Sequence, residues 1–146
     1  MNILNPISTI MTPHPICVGA HESIAAVAKL FEGHKIHHLP VIEEGSLVGL
    51  ISKSDYLLFR RGFNNENNQK MEEEVRLNNF QARDIMTKGL AKLEPSDKIN
   101  VALEIFKENL FHGIPIVEDD QVVGIVTTYD IIKHLAEDTK SYAEYE

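Results

Sequence analysis

The sequence predicts a mixed α/β (α+β) fold made of two pseudo-symmetric repeats, each running extended stretch, helix, strand, strand, helix. Three observations predict it. The chain matches itself when shifted by 75 positions, without a gap, over about 48 residues. Each half holds a segment with apolar residues at i, i+3, i+4 and i+7, the spacing of a helix with one buried face. Each half then holds two short apolar runs joined by a polar turn, the pattern of a β-hairpin.

The register of the repeat fixes the elements in order. Ile10-Met11-Thr12 aligns with Ile85-Met86-Thr87, and Leu39-Pro40-Val41-Ile42 with Ile114-Pro115-Ile116-Val117. Gly49-Leu50-Ile51-Ser52 aligns with Gly124-Ile125-Val126-Thr127, and Asp55 falls on Asp130. The extended stretch is Pro15–Val18 in one copy and Leu90–Leu93 in the other. The helix that follows buries Ile24, Val27, Ala28 and Phe31, or Ile99, Ala102, Leu103 and Phe106. Pro95-Ser96-Asp97 is a start signal for the second of these, with Ser or Asp expected to cap its free N–H groups. The hairpins turn at Glu43-Glu44-Gly45-Ser46 and Glu118-Asp119-Asp120-Gln121. A second helix begins near Asp55, and again near Asp130.

We divide the chain into a first repeat with its N-terminal segment (1–62), a polar connector (63–82), a second repeat (83–137) and an acidic tail (138–146). A repeat this short leaves one sheet face uncovered, so two are expected to cover each other as one domain. The Asn-rich connector is read as a solvated loop with a short helix around Met71–Leu77, and the tail as frayed helix or disorder.

Composition narrows the function. Apolar residues make up 43% of the 146 residues and charged residues 25%, ordinary for a soluble globular protein. A formal net charge of −8 argues against a surface that tracks nucleic-acid phosphates. No apolar run is long enough to span a bilayer. Met1–Ile10 has no basic residue and does not read as a signal peptide. With Cys17 the single cysteine, no internal disulfide can form, and a reducing, cytoplasmic setting is expected.

Met-Thr opening each copy and Gly-apolar-apolar-Ser/Thr-x-x-Asp closing it resemble the CBS domain family, over Thr9–Phe59 and Asp84–Leu135. The resemblance implies a stand-alone tandem pair of β-α-β-β-α repeats, a Bateman module. It also implies clefts for an adenosine-containing ligand (AMP, ADP, ATP or S-adenosylmethionine) and a homodimer. No cofactor is required.

Ser52-Lys53-Ser54-Asp55 and Thr127-Thr128-Tyr129-Asp130 admit two readings. As a capping pattern they close a helix N-terminus. As a binding element, the carboxylate accepts hydrogen bonds from two vicinal ribose hydroxyls, and the nearby hydroxyls and N–H groups suit phosphate oxygens. The resemblance implies that each cleft draws its other half from the opposite repeat. One then combines Thr127, Tyr129 and Asp130 with Met11, His14, Ile16, Ile36 and His37. The other combines Ser52, Ser54 and Asp55 with Met86, Gly89, Ala91, Phe111 and His112. Ile16, Ile36, Ala91 and Phe111 are either an adenine sandwich or ordinary core.

His34, His37 and His38 cluster, but no cysteine, helical His-x-x-x-His or carboxylate stands at ligand spacing, so no metal site is expected. His37 and His112 stand where similar proteins often carry a basic residue near the phosphates, and imidazole is mostly neutral near pH 7. Lys53 and Lys133 are either compensating cations or solvated surface lysines. No phosphate loop, dinucleotide fingerprint or nucleophile elbow occurs, and the length leaves no room for a catalytic domain beside the two repeats. The chain is therefore expected to be no enzyme but a sensor of an adenosine ligand that signals to an effector protein. Two alternatives stay open: an interaction dimer with vestigial clefts, and a sensor of S-adenosylmethionine or one linked to magnesium.

Overall fold

The computed structural model describes residues 1–62 and 69–143, which form two compact units, Ile16–Leu90 and Met1–Pro15 with Ala91–Glu146. The fold is mixed α/β, as expected. Each unit holds a three-stranded sheet among the described residues.

In the unit Ile16–Leu90, β2 (Val18–Gly19) lies parallel to β3 (His38–Glu43), which pairs antiparallel with β4 (Ser46–Ser52). The hairpin turns on Glu44 and Gly45, both with left-handed φ (51° and 79°), as a tight turn matched to strand twist requires. Helix α1 (Ile24–Gly33) starts where Ser23 Oγ accepts the Ala26 N–H, and it buries Ile24, Val27, Ala28 and Phe31. Those side chains meet Val18, Leu39, Val41, Ile51 and Tyr56 in one apolar cluster. Helix α2 (Lys53–Arg61) continues directly from β4. Helix α3 (Gln69–Asn79) covers and extends the connector helix expected from sequence, while connector residues 63–68 lie outside the described residues. Arg60 of α2 ties α3 down through Glu73 and also donates to Tyr56 Oη (3.0 Å). The short helix α4 (Ala82–Ile85) follows.

The other unit repeats this plan. Helix α5 (Ile99–Lys107) and the hairpin β5 (Gly113–Glu118) and β6 (Gln121–Thr127) lead into α6 (Thr128–Ala143). Residues 144–146 of the tail lie outside the described residues. Ile7, Leu93, Ile99, Ala102, Ile114, Ile116 and Val126 form its core. Leu93 meets β5 through a single parallel bridge to Ile116. Among the described residues no helix is long and apolar enough to cross a membrane.

One expectation is corrected. Neither Ser96 nor Asp97 caps α5; its N-cap is Lys98, with no side-chain hydrogen bond. The Asp97 carboxylate instead accepts the Glu94 N–H (2.7 Å), closing the turn before the helix, as Glu22 does for Gly19 (2.6 Å). The free N–H groups of α5 go to backbone carbonyls: Ile99 donates to Asn5 (3.0 Å) and Asn100 to Ile3 (2.9 Å).

The compact units are a different partition from the sequence repeats. The segment before Pro15 packs with residues 91–143, and Ala82–Gly89 packs with β4. Strand β1 (Thr12–Pro13) pairs antiparallel with β6, Thr12 opposite Ile125. At the corresponding place Thr87 and Leu50 exchange two hydrogen bonds (2.8 and 3.1 Å). Ile7 donates to Asp97 O as Ala82 donates to Glu22 O. Each opening segment thus completes the sheet built by the other repeat.

Candidate functional site

Both Ser/Thr-x-x-Asp motifs form capping boxes. Asp55 N–H donates to Ser52 Oγ (3.0 Å), and Ser52 N–H donates to Asp55 Oδ2 (3.4 Å). Asp130 N–H donates to Thr127 Oγ1 (3.2 Å), and Asp130 Oδ2 accepts from both the Thr127 N–H (2.8 Å) and its hydroxyl (3.0 Å). Each box satisfies helix N–H groups that have no intrahelical partner. It engages one carboxylate oxygen only, so Oδ1 of each half-buried aspartate keeps its acceptor capacity. Capping and hydroxyl recognition are therefore compatible at the same side chain.

Two further pieces of backbone adjoin each box. Lys53 N–H donates to His37 O (2.8 Å), and Thr128 N–H to His112 O (3.1 Å), so the equivalent histidines precede their strands beside a helix start, side chains exposed. Gly89 has φ +67° and His14, at the equivalent position, +49°. Sequence reasoning missed this shared left-handed bend; its signal was Gly89, since left-handed backbone favours glycine and only tolerates histidine. His14 N–H donates to Val123 O (3.2 Å), which fixes the bend at the end of β1.

The remaining expected residues divide by unit. Ile16 and Ile36 are half-buried against the core of the unit that also carries His37, Ser52, exposed Ser54, Asp55, Met86 and Gly89. Ala91 and Phe111 are half-buried in the unit of Met11, His14, His112, Thr127 and Asp130, where Tyr129 is 68% exposed. Burial pushes the Cys17 thiol above its ordinary range, which disfavours the nucleophilic thiolate. Among the described residues no three His, Cys, Asp or Glu side chains gather as a metal site.

The sequence model of the CBS domain family matches residues 7–62 and again 82–137. A solved structure of the CBS domain pair of protein MJ0100, in complex with 5′-methylthioadenosine and S-adenosyl-L-methionine, superposes with TM-score 0.75 at 26% identity. It covers 92% of this chain and 98% of that one. The L-aspartate semialdehyde sulfurtransferase of Methanocaldococcus jannaschii is 32% identical over 86% of this chain, which spans 22% of that protein's length. Hypoxic response protein 1 of Mycobacterium tuberculosis is 25% identical over 88% of this chain and 83% of its own length.

Proposed function

The chain belongs to the CBS domain family, and from that premise we propose that it is a regulatory module sensing an adenosine-containing ligand in clefts between its two repeats. The observation that carries this reading is the pair of equivalent aspartates. Asp55 and Asp130 are each held at a helix start by one oxygen, with the other able to accept from ribose hydroxyls. The similarity to a CBS pair that binds 5′-methylthioadenosine and S-adenosyl-L-methionine supports it. As the family resemblance implies, one site would draw Thr127, Tyr129 and Asp130 from one repeat and His14, Ile16, Ile36 and His37 from the other; the second would draw Ser52, Ser54 and Asp55 together with Gly89, Ala91, Phe111 and His112. The absence of Arg near either motif favours a ligand of low negative charge over a triphosphate.

The module acts by binding and not by catalysis. The sulfurtransferase name belongs to a protein of which this chain spans 22%. Occupancy shifts the protein between two arrangements only if the ligand prefers one of them, and an effector protein in the cytoplasm reads the shift. A homodimer is part of the reading: Tyr129, Ile132 and Leu135 leave an apolar stripe exposed along α6, which a second copy can cover.

The test is thermal unfolding against AMP, ADP, ATP, S-adenosylmethionine and 5′-methylthioadenosine, repeated with Asp55→Asn and Asp130→Asn. A ligand at about 100 times its dissociation constant adds roughly 2.7 kcal/mol to stability. A shift in the wild type that either variant reduces supports the sensor. A folded dimer that no ligand stabilises at millimolar concentration leaves the interaction dimer with vestigial clefts.

A further inference from the structure

The two Ser/Thr-x-x-Asp boxes share a plan but differ in what they leave free. In the Asp130 box the Thr127 hydroxyl donates to Asp130 Oδ2 (3.0 Å), while its oxygen accepts the Asp130 N–H (3.2 Å). In the Asp55 box the Ser52 oxygen likewise accepts the Asp55 N–H (3.0 Å), but the Ser52 O–H donates to no acceptor among the described residues. The next two positions differ as well. Half-buried Lys53 and exposed Ser54 begin α2, whereas Thr128 and the 68% exposed Tyr129 begin α6. The first turn of α2 therefore balances Asp55 with a cation, and that of α6 carries Asp130 as its only charge. Lys133, the first cation of α6, is exposed and stands more than a turn past Thr128. A Cβ added at Gly89 would meet nothing within 4 Å, whereas His14 places an exposed imidazole at the equivalent position.

On the reading of Asp55 and Asp130 as ribose acceptors, on which this rests, we propose that the two sites take adenosine ligands of different charge. The Asp55 site binds adenosine 5′-monophosphate, and the Asp130 site an adenosine whose 5′ substituent is uncharged. A phosphate group needs hydrogen-bond donors and positive charge. The Asp55 box offers both, in the Ser52 and Ser54 hydroxyls and the Lys53 ammonium. Lys53 at the first helical position also meets the positive end of the helix dipole, an arrangement that a bound anion relieves. The open space at Gly89 leaves room for a tetrahedral group. The Asp130 box offers neither donor nor charge. Its Thr127 hydroxyl is engaged and Thr128 is neutral, so a phosphate there would face the Asp130 carboxylate with no cation in the same turn. The exposed ring of Tyr129 instead suits an aromatic base or a thioether, whose sulfur packs favourably against aromatic rings.

The experiment titrates AMP and 5′-methylthioadenosine into the full chain by calorimetry, in the wild type and in Asp55→Asn, Asp130→Asn, Lys53→Thr and Thr128→Lys. With both ligands present, one of each is expected to bind per chain. AMP affinity is expected to fall about tenfold in Asp55→Asn and in Lys53→Thr, and to change by less than about twofold in Asp130→Asn. The affinity for 5′-methylthioadenosine falls in Asp130→Asn and is unmoved by Lys53→Thr. Thr128→Lys, which copies Lys53, gains a second equivalent of AMP. Added salt weakens AMP binding to the wild type and leaves 5′-methylthioadenosine binding unchanged. If Lys53→Thr does not fold, Lys53→Gln and the salt dependence decide. The proposal is overturned if only one of the two ligands binds, if both respond to the same aspartate, or if folded Lys53→Thr binds AMP as the wild type does. In those cases the sensor reading survives, whereas a wild type that binds neither ligand nor any other adenosine compound overturns both.

Discussion

Met86 lies across Gly49 so closely that a Cβ added to the glycine would stand 2.7 Å from the methionine Cγ and 2.9 Å from its Cβ. Met11 has the same relation to Gly124, where an added Cβ would also meet Thr12 O at 3.2 Å. These contacts seat each opening segment on the sheet built by the other repeat. Alanine in place of a strand glycine ordinarily stabilises, through lost chain entropy. Here Gly49→Ala and Gly124→Ala are expected to destabilise by about 1–3 kcal/mol, as overpacking does, measured by chemical denaturation. Adding Met86→Ala to Gly49→Ala recovers part of the loss. Adding Met11→Ala to Gly124→Ala recovers less, because backbone also stands in the way.

The second hairpin turns on Asp119 and Asp120, with φ 50° and 63°, where the first uses Glu44 and Gly45. Left-handed backbone costs a non-glycine residue up to about 1–2 kcal/mol, less for aspartate. Asp120→Gly, which copies Gly45, is expected to raise stability by about 0.5–1 kcal/mol, seen as a rise of a few degrees in Tm.

Asparagine at position 130 keeps an oxygen able to accept the Thr127 N–H, whereas alanine removes it. Asp130→Ala is therefore expected to cost about 0.5–2 kcal/mol of stability, and Asp130→Asn under about 0.5 kcal/mol. If the charge serves ribose hydroxyls, Asp130→Asn still weakens the adenosine ligand about tenfold by calorimetry. Equal ligand affinity in Asp130→Asn and wild type would leave the aspartate a cap alone.

Burial holds the Cys17 thiol above its ordinary range, so the folded chain keeps this proton where the unfolded chain has lost it. The thiol's contribution to stability is full below the unfolded value, about 8.5, and is lost as pH rises through the raised native value. Denaturation from pH 7 to 10 is expected to show stability falling more steeply in the wild type than in Cys17→Ala. Alkylation of the native protein is slower than of the denatured chain.

Arg60 holds α3 against α2 through Glu73 and also reaches Glu32 (3.4 Å) and Tyr56. It is partly exposed, so Arg60→Ala is expected to cost no more than about 1 kcal/mol globally. Local opening of α3 responds more, and amide exchange across 72–79 is expected to quicken while that of α1 is unchanged.

Local signals carried most of what the sequence disclosed. The helical spacing of Ile24, Val27, Ala28 and Phe31, the two hairpins, and the Ser/Thr-x-x-Asp motifs each act within a few residues, and each appears in the fold. Asp97 misled because a carboxylate three residues beyond a turn N–H and one at a helix start look alike in sequence. The pairing of Thr12 with Ile125 was not legible, since strand partners far apart in the chain leave no periodic trace. The bend at His14 was hidden by its residue type, while Gly89 in the other copy pointed to it.

The exchange of opening segments bears on how such a chain can arise and be divided. Because Ile7 is to Asp97 as Ala82 is to Glu22, the two exchanges are the same bond made twice. A lone repeat lacks a partner for its first strand, but two identical copies could trade those segments reciprocally and close both sheets. Gene duplication and fusion of such a pair would then join halves that were already interdependent. A cut within the connector at 63–68 leaves complementary fragments, and neither carries all the strands of one sheet together with the segment that completes it.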